Sequence, residues 1–118
     1  MIKVKRIYDP AKEEDGFRIL VDRLWPRGLS KAAAGIDLWL RDVAPSDALR
    51  KWFAHDPKKW RAFETKYHKE LRDKKDLIRQ IQDREKENRT VTLLYSAKDD
   101  RHNQAVALIG FLKSTRQS

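Results

Sequence analysis

Cysteine is absent from all 118 residues of the chain. That excludes disulfides, thiolate metal sites and cysteine nucleophiles, and it fits a reducing cytoplasm. Glycine is scarce, with four residues. There is accordingly no glycine-rich phosphate loop with its lysine and no dinucleotide-type GxGxxG turn. The three histidines, His55, His68 and His102, lack metal-ligand spacing, so neither a metal nor another cofactor is expected. No apolar run approaches the ~20 residues of a membrane span. The first residues, MIKVKRIYDP, lack the apolar core of a signal peptide. The expectation is a cytoplasmic protein with no membrane partner.

What is plentiful is positive charge. Twenty-seven basic residues stand against 18 acidic ones, leaving +9. Such a field attracts nucleic acid, phosphorylated metabolites or anionic surfaces, although a lysine-rich surface can also serve solubility alone. The length suits one domain, residues 1–118, able to bury roughly two-thirds of its unfolded surface.

Apolar residues fall in periodic blocks. Ile2 to Tyr8 reads as a half-exposed edge strand, ended by Asp9-Pro10. Phe17 to Asp22 reads as a central strand, apolar on both faces. Ser30 caps a short helix, Lys31 to Ala34, closed by Gly35. Ile36 to Val43 reads as a third strand, although Leu38, Trp39 and Leu40 also suit a helix. Ser46 caps the next helix, whose buried stripe is Leu49, Trp52 and Phe53. Asp56-Pro57 opens another. There Trp60, Phe63, Tyr67 and Leu71 recur at spacings of three and four. Leu77, Ile78 and Ile81 resume the pattern after a polar gap at residues 73–76, and Arg79, Asp83, Arg84 and Glu87 read as a solvated face. Val91 to Ser96 is the clearest strand. Asp99 or Asp100 is expected to cap a last helix with Ala105, Leu108, Ile109 and Leu112 inward, and residues 114–118 look frayed.

This order favours a three-layer α/β domain with a small, mostly parallel sheet flanked by helices. The long helical crossover into Val91–Ser96 fits a parallel connection, while the short loop after the first strand leaves an antiparallel pairing of the first two strands open.

If the later strands run parallel, their exits share one edge, where open α/β folds place ligands. Asp22, Arg23, Trp25 and Arg27 would lie there, with Ser46 and Arg50 from the following helix and Ser96, Lys98, His102 and Asn103 after the last strand. Arginine forks match phosphate oxygens, and helix N-termini add free N–H groups. The group suits an anion: a nucleotide or phosphorylated metabolite. Asp22 would orient it or act as a base, His102 would be the other acid–base candidate, and Trp25 a wall. Each residue alone has a structural reading. Asp22–Arg23 can be an ion pair, Trp25 core, Ser46 a cap, and His102 merely exposed. Ser96 and His102 can be drawn as nucleophile and base, but nothing in their spacing requires it.

At these residues the chain resembles a known family. VDRLWPRG, then W-x-R-D-x-APS, then LRKWF-x-HDP, then Phe63, Tyr67 and Glu70-Leu71, and finally VTLLYSAKD-x-x-HN-x-A resemble the YeaO-like branch of the bacterial domain-of-unknown-function family numbered 488. The match runs from Ile2 to about Leu112. The resemblance implies an α/β fold and a cytoplasmic setting, and it supplies no reaction. The broader family is similar more loosely, with a strand ending Asp-x-Arg and a later strand ending in Cys before a Cys-His-Arg turn. Here Asp22-Arg23 stands at the first motif, and Tyr95 with the Arg101-His102-Asn103 turn at the second. Both cysteines are replaced, so no thiol chemistry is implied.

The leading expectation is therefore an anion-binding α/β protein, with hydrolysis or group transfer at a phosphate or glycosyl centre as the chemistry its groups would suit. The alternative is a nucleic-acid-binding or protein-interaction module using Lys58, Lys59, Lys66 and Lys69 on the basic helix. Its interleaved acids weaken that case.

Overall fold

The computed structural model describes residues 1–116. Four parallel strands form one sheet in the order β1-β4-β2-β3, with β1 Ile2–Arg6, β2 Phe17–Leu20, β3 Leu38–Trp39 and β4 Val91–Tyr95. The α/β architecture with a small parallel sheet is as the residue pattern implies. β4 is buried at every residue, so it needs neighbours on both sides. It pairs Val91 with Ile2 of β1 and with Phe17 of β2.

That insertion overturns an antiparallel pairing of the first two strands. β1 and β2 do not touch as neighbours; each runs parallel to β4 between them. Residues 7–16, extending up to about 3.3 Å each, are long enough to return past a strand of this length. Their 3-10 turn at Glu13–Asp15 tucks beneath the sheet.

The two faces of the sheet are covered unequally. Helices α2 (Asp47–Phe53), α3 (Trp60–Arg72), α4 (Lys75–Asn88) and α5 (Gln104–Arg116) enclose the larger core. Ile19, Val21, Val91 and Leu93 meet Phe53, Phe63, Tyr67, Leu71, Ile81 and Leu108 there. The other face carries the short α1 (Lys31–Ala34) over Ile7, Leu20 and Leu94. It also carries a buried polar network of Asp15, Arg18 and Thr92.

Several expectations hold locally. The Ser30 hydroxyl accepts from Ala33 N–H, and Gly35 closes α1 in the left-handed region. The polar gap separates α3 from α4, and Arg79, Asp83 and Glu87 are exposed, whereas Arg84 is half-buried with its guanidinium over the Phe17 ring.

Others need correction. The third strand is only Leu38–Trp39, because the chain turns into a 3-10 helix at Arg41–Val43, where Val43 N–H bonds the Leu40 carbonyl. Asp56 accepts from Lys58 N–H, but it opens a 3-10 turn at Pro57–Lys59 ahead of α3. Trp52 does not join the buried stripe of Leu49 and Phe53. A seven-residue helix buries the i, i+4 pair and leaves the i+3 position 39% exposed,. The last helix is capped by Asn103, whose Oδ1 accepts from Val106 N–H, while Asp99 caps the preceding turn through Arg101 and His102 N–H. Ile109 is only partly buried. Residues 114–116 are helical rather than frayed; 117 and 118 lie outside the described residues. No described helix is long and apolar enough to cross a membrane.

Candidate functional site

Parallel strands send their carboxyl ends to one edge, and there the chain leaves a cleft of about 730 Å³. Arg6 and Tyr8 reach it from β1, and Asp22, Arg23, Leu24, Trp25, Pro26 and Arg27 from the loop after β2. Ser96, Ala97, Lys98 and Asp99 follow β4, and His102, Asn103 and Gln104 lead into α5. Arg50 and Phe53 of α2, His55 in the turn after it and Phe63 of α3 form the facing wall. Of the ten residues singled out by sequence, the structure brings nine together here; Ser46 lies outside. Its N–H and hydroxyl both donate to the Glu70 carboxylate, at 2.9 and 2.6 Å. The Ser46 oxygen also caps α2 by accepting from Leu49 N–H. The anion expected at that helix start is thus the protein's own.

Asp22 is buried and fully engaged. One carboxylate oxygen accepts from Ser96 N–H at 2.9 Å, and the other accepts from the Gln104 amide. The Ser96 hydroxyl adds a further bond. Desolvation pushes the Asp22 carboxyl above its ordinary range, and these hydrogen bonds only partly pull it back,. Asp22 therefore ties the end of β2 to the end of β4 and the start of α5. No ion pair joins it to Arg23.

A pH-dependent effect follows. A carboxyl whose folded pKa is raised contributes most stability below its unfolded value near 3.9, and that contribution is lost as pH rises through the folded value. Asp22→Asn removes this titration. Urea denaturation should find the variant more destabilised relative to wild type at pH 4 than at pH 7. Equal losses at both pH values would contradict a raised pKa.

His102 sits in a different setting. Its Nδ1 lies 2.9 Å from Asp99 Oδ2, and its ring stands edge-on to Trp60, 5.3 Å between centroids. The Arg101 N–H and then the imidazole hold the Asp99 carboxyl below its usual range. The pair orients the ring, but the Ser96 hydroxyl is turned to Asp22 rather than to His102.

Trp25 is both wall and packing. Its indole N–H donates to the Leu29 carbonyl at 2.6 Å, and its ring meets Trp39 edge-on. Asn103 lines the cleft, but its side chain is engaged as the α5 cap and as donor to the Asp99 carbonyl.

Besides Asp99, four polar contributors escape the sequence argument. Arg6 lies over the Tyr8 ring and donates from Nε to the Ala97 carbonyl, while the Tyr8 hydroxyl donates to the Arg27 carbonyl at 2.8 Å. These bonds link β1 to the Arg27 loop. Gln104 arrives through Asp22. His55 arrives because Ala54 and His55 both adopt left-handed backbone, φ 46° and 57°. Neither is glycine, so the turn stores roughly 1–2 kcal/mol per residue. Nothing in the residue types Ala54 and His55 signals that conformation. Among the described residues no group of three or more potential metal ligands occurs.

A parallel α/β fold with a cationic, aromatic-walled cleft at the carboxyl ends of its strands defines the class of protein. Residues 1–118 match the family described as the inactive DUF488-N3 subclade, and the chain belongs to that family. It is 42% identical over 113 residues, 96% of this chain and 97% of the relative, to the uncharacterized protein YeaO of Escherichia coli K12. It is also 42% identical over 72 residues, 61% of each chain, to the uncharacterized proteins Rv3073c of Mycobacterium tuberculosis H37Rv and Mb3100c of Mycobacterium bovis. No solved structure matches it.

Proposed function

We propose that this protein binds a phosphorylated, ring-bearing small molecule, a nucleotide or phosphorylated metabolite, in the cleft and does not turn it over. One observation carries the reading. Five cationic side chains, Arg6, Arg23, Arg27, Arg50 and Lys98, surround the cleft against two carboxylates, Asp22 and Asp99. Phe53 and Phe63, stacked at 4.4 Å and buried, form the apolar backing of the cleft beside them. A volume of about 730 Å³ falls within the range of small-molecule sites. Guanidinium forks suit phosphate oxygens.

The non-catalytic half rests on the acids. Asp22 is bonded to Ser96 and Gln104, and Asp99 to the backbone and to His102. The Ser96 hydroxyl bonds the buried Asp22, a carboxyl already engaged by Ser96 N–H and Gln104. The word "inactive" in the family description agrees. The setting proposed is the cytoplasm, since no cysteine calls for an oxidising compartment.

A thermal-shift screen against nucleotides, sugar phosphates and short DNA and RNA, at low and moderate salt, tests this. A ligand at 100 times its Kd stabilises by about 2.7 kcal/mol. The expected result is a small-molecule shift that Arg27→Ala abolishes, with the ligand recovered unchanged. Release of product would sink the non-catalytic half and point to hydrolysis or group transfer.

A second reading, nucleic-acid binding on the helical surface, is favoured by one feature. The exposed Trp52 ring lies under the ammonium groups of Lys59 and Lys66, at 5.0 and 5.2 Å. A salt-steep shift with DNA or RNA alone, weakened by neutralising Lys58, Lys59, Lys66 and Lys69, would promote it over the cleft.

A further inference from the structure

Two of the cleft's arginines are strangely underused. Arg23 Nε is buried with no hydrogen-bond partner. Its nearest recorded contacts are long: NH2 to the Pro45 carbonyl at 3.5 Å, and Nε to Asp47 Oδ1 at 3.7 Å. Arg50 NH2 approaches that same Asp47 oxygen at 3.5 Å. Charge-assisted hydrogen bonds normally close to about 2.7–2.9 Å. A single carboxylate oxygen is thus shared by two guanidinium groups, and it satisfies neither. Asp47 itself is held by little else. Its side chain is 63% exposed at the first position of α2, just outside the lining of the cleft.

An orphaned buried N–H on a charged fork carries a substantial desolvation cost. A polar group left in that state beside a cavity points to a missing acceptor. The Glu70 carboxylate does not supply one, because the Ser46 N–H and hydroxyl already engage both its oxygens. What remains is an anion position between Arg23 and Arg50, filled loosely by Asp47.

We propose that Asp47 is a built-in stand-in for the ligand's anionic group, and that the group which displaces it is a terminal phosphate. This rests on the cleft reading above and names its ligand chemistry. A ligand carboxylate would only exchange one carboxylate for another. A phosphate monoester near neutral pH carries about −1.5 to −2 charges and three acceptor oxygens. It can meet the Arg23 and Arg50 forks at the same time. Asp47 therefore sets a threshold that monoanions do not cross.

The test uses the intact protein with inorganic phosphate as the probe and acetate as comparator, titrated by tryptophan fluorescence. The variants are Asp47→Asn, Arg50→Ala and Asp76→Asn. Asp76→Asn makes the same charge change on an exposed position of α4. Removing one unit charge about 4 Å from the bound anion in a wet site should tighten binding about fivefold. The expected result is phosphate affinity raised about five- to tenfold in Asp47→Asn, little changed in Asp76→Asn, and lost in Arg50→Ala. Acetate should bind measurably only to Asp47→Asn. Phosphate binding that is lost in Arg50→Ala but unchanged or weakened in Asp47→Asn would overturn the stand-in role and leave the cleft reading intact. An equal gain in Asp76→Asn would reduce the effect to net charge and also overturn it. No phosphate binding to any form would overturn both.

Discussion

Asp15→Ala is expected to destabilise the protein by about 3–5 kcal/mol, because it strands a buried guanidinium. Arg18 is 5% exposed and Asp15 3%. Arg18 NH1 reaches Asp15 at 2.5 Å, and Lys5 reaches the same carboxylate at 3.1 Å. The other Arg18 nitrogens donate to the Gly35 and Ala34 carbonyls, at 2.9 and 3.0 Å. The network therefore fastens α1 beneath the sheet, and with it the loop that carries Trp25 and Arg27 into the cleft. Thermal unfolding should show a fall of roughly 10–20 °C for a domain of this size. The Asp15→Ala/Arg18→Met double variant should recover part of the loss, since no buried guanidinium is left unpaired. A double variant worse than the sum of the singles would refute this account.

The same group carries an acid dependence of opposite sign to Asp22. Burial alone would raise the Asp15 carboxyl, but the Lys12 N–H, Lys5 and Arg18 outweigh it and hold it below its ordinary range. A depressed folded pKa contributes stability above the unfolded value near 3.9, and that stability is lost as pH falls through the folded value. The gap between wild type and Asp15→Ala should therefore begin to narrow as pH falls below about 4 and keep narrowing down to the lower folded value,.

Gly16→Ala should be comparably severe for a different reason. Gly16 sits at φ +65°, and an added Cβ would come within 2.9 Å of the Thr90 carbonyl carbon. The Thr90 oxygen beside it accepts from Phe17 N–H, the bond that starts the β2–β4 ladder. The obstacle is backbone on both sides, so neither partner can swing away. The left-handed conformation adds its own cost. Loss of several kcal/mol, or failure to accumulate as folded protein, is expected. Near-wild-type stability in chemical denaturation would show that the Thr90 turn is softer than it looks.

Much of the fold was legible because it follows from local pattern. Val91 to Tyr95 has to be central when every residue is apolar or β-branched, and Phe63, Tyr67 and Leu71 can face only one way on a helix. The candidate site was legible for a topological reason: once the strands run parallel, Asp22, Arg27, Lys98 and His102 leave from one edge. What escaped depends on partners distant in sequence. Nothing near Ser46 announces that Glu70, 24 residues on, will claim its N–H and hydroxyl. Nothing in residues 2–22 says that β4 will wedge between the first two strands. Trp52 looked like core by residue type, yet a helix of seven residues has no face left for it. His55 enters the cleft through backbone dihedrals that its neighbours in sequence do not specify.

The cleft's apolar wall is also the protein's core. Phe53 and Phe63 belong to the ring stack that continues to Tyr67, whose hydroxyl is anchored to the Val43 carbonyl. Both phenylalanines are buried. The two surfaces cannot drift apart over evolutionary time: any change that reshapes the wall also disturbs folding. Arg27, Arg50 and Lys98 are exposed at the rim and carry no such double duty. If the cleft binds as proposed, divergence in ligand preference among proteins built on this scaffold should therefore be written mainly in the rim. Regrafting that rim would be the economical route to a new specificity.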